Sequence, residues 1–190
     1  MKISLQQLPP LLEIKSRGEV QLLAGKIRYT PWNSESLYGK VRTIIHLAGR
    51  SDAFQLNQEL IGALQQQAFD TAQYQTTTII NLKDAAWGTG TIMCSRIEQA
   101  KKEDSNASFV IDEKGAALKA WGLSRDSSAV ILLDEYGEII YGKDGVLGKS
   151  EVKYVIDLLH QRILNNPAVF PSARNDSFMM NVNAYAENFG

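Results

Sequence analysis

The spacing of apolar residues changes period several times along the chain, and each change marks an element. Val20 to Leu23 and Lys26 to Tyr29 are short β-prone runs joined by Ala24-Gly25, a pattern that predicts a tight hairpin. Pro31 has no N–H for a ladder and is expected to close the second strand. Residues Lys40 to Leu47 read KVRTIIHL, β-branched and apolar without strict alternation, as in a central strand buried on both faces. Asp52, with Gln55 three residues on, is placed to cap a helix that keeps Phe54, Leu56, Leu60, Ile61 and Leu64 at helical spacing to about Gln67. The same logic repeats with a strand from Tyr74 to Leu82 and a helix from about Thr91 to Glu103, which carries Met93, Ile97 and Ala100 on one face.

The third block differs. A short strand, Ser108 to Ile111, ends at Asp112-Glu113-Lys114-Gly115, and Ala129 to Leu133 pairs with Glu138 to Tyr141 across the turn Asp134 to Gly137. Val152, Val155, Ile156, Leu159 and Ile163 then form an i, i+3, i+4, i+7 stripe on a last helix that must cover a sheet face. The result is an α/β chain: strand-rich lead-in, parallel strands with intervening helices, and a C-terminal antiparallel hairpin. The expected domain is 1–165. Residues 166–190, rich in asparagine and without a sustained period, read as a loosely ordered tail whose Phe178-Met179-Met180 can dock on the domain or on a neighbour.

Composition narrows the function classes. A chain of 190 residues with 44% hydrophobic and 22% charged residues suits a globular domain, and a net charge of -1 with no basic stripe argues against nucleic acid. No apolar run approaches the ~18 residues of a membrane span. MKISLQQLPPLLEI lacks the apolar block of a signal peptide, leaving two readings: a cytoplasmic protein, or an exported one whose signal is absent from this sequence. The lone Cys94 excludes an internal disulfide and a two-cysteine redox pair.

Strand direction brings three loops to one sheet edge: the turn at Arg50, the loop 83–91 and the loop 124–128. Open α/β sheets bind ligands at such an edge. Arg50 beside a helix start, with Asp52, Trp87 and the hydroxyls of Ser51, Ser127 and Ser128, is a candidate cradle for a peptide or protein segment or a small anionic ligand. Equally, Arg50 suits a solvated surface and the serines suit caps and turns.

Other constellations are weaker. Gly49-Arg50-Ser51-Asp52-Ala53 nearly spells a hydrolase elbow, but its only downstream histidine, His160, falls on the last helix beside the apolar stripe. His46 lies on the buried strand, where satisfying a hydrogen bond is its expected role. Gly88-Thr89-Gly90 lacks the lysine of a phosphate loop and reads as a helix start. No spacing suggests a metal or cofactor. Trp32 and Trp87 are readable as partner contacts or as packing under loops, as is Trp121. Cys94, in the first turn of the second helix, is the alternative enzymatic group, a one-cysteine thiol enzyme or sensor, although Met93 and Ile97 beside it point to a core position.

The stretches YTPWNS (29–34), GKVR (39–42), HLAGR (46–50), YQTTTIIN (74–81) and SSAVILLDEYG (127–137) are long and unusual together. Through them, between Leu8 and Leu164, the chain resembles the YtfJ family of bacterial proteins of unknown function. The resemblance implies a thioredoxin-like fold and export to the periplasm. In redox-active members of the wider thioredoxin class, the turn after this strand carries Trp-Cys-x-x-Cys; those positions fall here on Arg50 to Phe54, without cysteine. The cis-proline of that class falls on Ser128. Peroxidatic cysteines of the class follow the first parallel strand, whereas Cys94 follows the second. The resemblance therefore implies a redox-inactive binding or chaperone-like module rather than an enzyme.

Overall fold

In the strand Val41–Ala48 (β3) all eight residues are buried, as the unalternating run VRTIIHLA requires of a strand with packed layers on both faces. The computed structural model describes residues 1–85 and 88–164, so Trp87 and the tail with Phe178-Met179-Met180 lie outside the described residues. Around β3 is a seven-stranded sheet in the order β2-β1-β5-β4-β3-β6-β7. Its strands are β1 (Glu13–Leu23), β2 (Lys26–Asn33), β4 (Tyr74–Asn81), β5 (Ser108–Asp112), β6 (Ser128–Leu133) and β7 (Ile139–Asp144) besides β3. β3, β4 and β5 are parallel, whereas β6 and β7 return antiparallel as the expected hairpin.

Pro31 does not close the second strand. β2 continues through it to Asn33, because Pro31 lies on an edge strand opposite the β1 register shift between Ile14 and Glu19, where no ladder donor is needed. Gly18 makes that shift possible: its φ is +74°, and a Cβ there would sit 2.2 Å from the Thr30 carbonyl oxygen.

In-register pairs share a face, which assigns the layers. Ile45, Leu47, Val130 and Leu132 pack under α2 (Gln58–Gln65) and α5 (Lys149–Leu164). On the same face, Ile80 and Ile111 receive Met93, Cys94 and Ile97 of α3 (Gly90–Glu103). The opposite face carries Ile44, Ile79, Val110 and Ile131, and it is closed by the N-terminal segment and by α4 (Ala116–Trp121). That helix was not expected. It is six residues long and bounded by two left-handed glycines, Gly115 and Gly122, so it shows no helical period.

The helix expected from Asp52 to Gln67 is broken. α1 (Ser51–Gln55) starts earlier, with Arg50 rather than Asp52 at the N-cap, and α2 starts after Asn57. Asn57 is buried and pulled toward the sheet: its Nδ2 donates to Ser128 Oγ at 2.8 Å, and its Oδ1 accepts from the Leu147 N–H at 3.0 Å.

Candidate functional site

The turn after β3 is built by backbone bonds between the three expected loops. Ala48 N–H donates to the Ser127 carbonyl at 2.9 Å, and Gly49 N–H donates to that of Asn81 at 2.8 Å. Gly49 fits so closely that a Cβ would lie 2.9 Å from Asn81 O and 3.2 Å from Ala85 Cβ. The turn after β3, the end of β4 and the loop before β6 therefore meet, as strand direction required.

Asp84 holds them together from below. Its side chain is buried and accepts from Asn81 Nδ2 at 3.1 Å, from the Asp126 N–H at 3.2 Å and from Arg125 Nη2 at 3.4 Å. Asp126, in the left-handed region at φ 53°, turns its carboxylate outward to Arg50 Nη1 at 3.1 Å. Arg50 also reaches Asp52 at 3.4 Å. These pairs are exposed, so they orient the guanidinium without holding it firmly.

A cavity of about 470 Å³ opens beside this turn, lined by Gly49, Arg50, Asp52, Thr89, Ile92, Met93 and Arg96. Two guanidiniums, Arg50 and Arg96, thus share a pocket whose remaining wall includes the exposed Ile92. Sequence reasoning missed Arg96 and Ile92. They are one helical turn apart on the solvent side of α3, which reads as ordinary surface until the β3 turn is placed next to it.

The other expected site residues fare unequally. Ser51 opens α1, but that helix has only five residues, so little macrodipole builds up there. Ser128 is 1% exposed, and its hydroxyl accepts from Asn57 Nδ2 rather than facing solvent at the edge. Ser127 is half-buried in the loop before β6, and no cis peptide bond occurs among the described residues. Trp32 and Trp121 are core residues; the Trp121 indole donates to the Pro10 carbonyl at 3.0 Å.

Cys94 sits in the second turn of α3, not the first, because the helix begins at Gly90. It is 4% exposed among Val20, Ile80, Ile97 and Ile111, and burial pushes its thiol up in spite of the Arg17 charge nearby. A reactive thiolate needs the opposite environment.

His46, expected to satisfy a hydrogen bond, has no partner at either ring nitrogen among the described residues. Burial lowers its pKa to about 4, against the opposing pull of Asp112, Asp84 and Asp144. His160 is bonded to Gln67 and edge-on to Phe69. Among the described residues no group of His, Cys, Asp and Glu is arranged to hold a metal, and no helix is long and apolar enough to cross a membrane.

With this geometry in hand, known proteins place the chain. The family described as "Bacterial protein of unknown function (YtfJ_HI0045)" matches residues 3–162. The uncharacterized protein YtfJ of Escherichia coli K12 is 42% identical over 156 residues, 82% of this chain and 84% of that one. An uncharacterized protein of Haemophilus influenzae is 38% identical over 158 residues, 83% of this chain and 86% of its own. Among solved structures, a thioredoxin-like superfamily protein superposes with a TM-score of 0.57 at 14% identity, covering 82% of this chain and 96% of the other. The thioredoxin domain of a thiol-disulfide oxidoreductase from Bacteroides vulgatus gives 0.52 at 14%, covering 83% and 99%. The fold is thioredoxin-like.

Proposed function

The chain belongs to the YtfJ family of bacterial proteins, and from that premise we propose that it is a binding or chaperone-like module that keeps the thioredoxin ligand edge without thiol chemistry. The observation that carries this reading is the pocket at the β3 turn. At the turn where redox-active members of the wider thioredoxin class carry Trp-Cys-x-x-Cys, this chain has Arg50-Ser51-Asp52-Ala53-Phe54, and Arg96 lines the same cavity as Arg50 from α3. Paired guanidiniums with Ile92 beside them favour a peptide segment that carries a carboxylate and an apolar residue. Asp126 and Asp52 then act as place-holders that an incoming carboxylate displaces. The family resemblance points to the periplasm as the place of action.

The test is a titration of acidic and neutral peptides of equal length against the wild type, Arg50→Ala and Arg96→Ala. Acidic peptides are expected to bind the wild type, and each substitution to weaken them by roughly ten-fold, the size of one charge-assisted hydrogen bond. Indifference to peptide charge, or to both substitutions, would overturn the reading. A dithiol-driven disulfide reduction assay is expected to give only the background rate.

A further inference from the structure

We propose that the C-terminal segment around Phe178-Met179-Met180 docks within its own chain, in the groove between α2 and the loop that follows α3. This groove, of about 590 Å³, shares no lining residue with the Arg50 cavity and is independent of the reading of that edge. Its floor is the half-exposed sheet surface at Thr76 and Thr78, its walls include Leu64, Phe69 and Phe109, and Lys40 stands at its mouth. Leu60 and Leu64 of α2 pack with Ile45 and Leu47 of β3, and α3 packs on β1 and β5, while Thr76 and Thr78 of β4 on this face stay half-exposed.

The place where the described chain ends selects the occupant. The last turns of α5 run beside the groove: His160 bonds Gln67 at 2.8 Å and packs edge-on against Phe69, a groove wall. Two residues on, Arg162 pairs with Asp134 and Glu135, and the Glu135 carbonyl accepts from Gly39, next to Lys40 at the mouth. Leu164 is therefore delivered to the end of the sheet at which the groove opens. Fully extended chain from Leu164 to Phe178 spans up to ~46 Å, ample to cross the groove. The segment supplies one aromatic and two methionines, flexible side chains that fill irregular apolar space and contact aromatic rings favourably. The family match ends at residue 162, before this segment.

The test uses the full chain with Cys94→Ala and a nitroxide attached at Asn181→Cys. The amide signals of Thr76, Thr78 and Phe109 are expected to lose most of their intensity, equally at all protein concentrations, and to recover when Phe178, Met179 and Met180 are all changed to serine. Three results would overturn the proposal: uniform broadening, broadening centred on the Arg50 edge, or broadening that appears only when spin-labelled and isotope-labelled copies are mixed, which would make the contact intermolecular. Because each chain is compared with its own reduced, diamagnetic form, a loss of stability in a variant is read separately from a loss of docking.

Discussion

Asn57 and Ser128, 71 positions apart in the chain, meet in a buried 2.8 Å side-chain hydrogen bond that fixes the helix after the β3 turn to the start of β6. Asn57 also reaches the Gly145 carbonyl and accepts from Leu147, so one side chain ties α2, β6 and the loop after β7.

Asn57→Ala should therefore strand several buried polar groups at once. We expect a loss of about 2–3 kcal/mol in denaturant unfolding, because an unmade buried bond costs its full desolvation. Ser128→Ala, which leaves Asn57 its other two partners, should cost about 1 kcal/mol. Equal losses for the two would mean that Asn57 is not the hub.

His46 predicts a pH dependence of definite sign. Burial holds its pKa at about 4 in the folded chain, against 6.5 ordinarily, although Asp112, Asp84 and Asp144 pull the other way. Between those values the unfolded chain takes up a proton that the folded chain refuses. The stabilisation is complete above pH 6.5, declines as the pH falls toward 4, and levels off below. The full shift is worth ~3 kcal/mol at about 1.4 kcal/mol per pH unit. His46→Gln should show a shallower decline than the wild type across that window, measured as unfolding free energy against pH. Parallel curves would assign the proton to other groups.

Cys94 should behave as a core residue. A thiol reagent is expected to modify it orders of magnitude more slowly in the native chain than in urea, because the side chain is buried and burial raises its pKa. Similar rates in the two states would revive the one-cysteine enzyme.

Much of this architecture is legible in the residues. β3 announces itself because a strand packed on both faces cannot alternate, and the convergence of the loops near Arg50 and Asp126 follows from strand direction alone. What escapes is set by tertiary partners. The break at Asn57 interrupts a sound helical period only because Ser128 and Leu147 lie across the fold. Arg96 joins the pocket through the placement of α3, and α4 is too short to leave a period between its two glycines. Arg50 was visible, but the buried Asp84 that fixes its surroundings was not, since a carboxylate in a loop carries no mark of depth.

The two outer strands of the sheet are guarded in different ways. β2 combines Pro31 with Lys26 and Arg28, and at the other rim Gln6 and Gln7 of the N-terminal segment hydrogen-bond to Ile139 at the start of β7. A proline, two cations and a borrowed backbone are the features that stop open rims from templating edge-to-edge polymerisation. An unguarded rim would capture any extended chain without regard to its sequence.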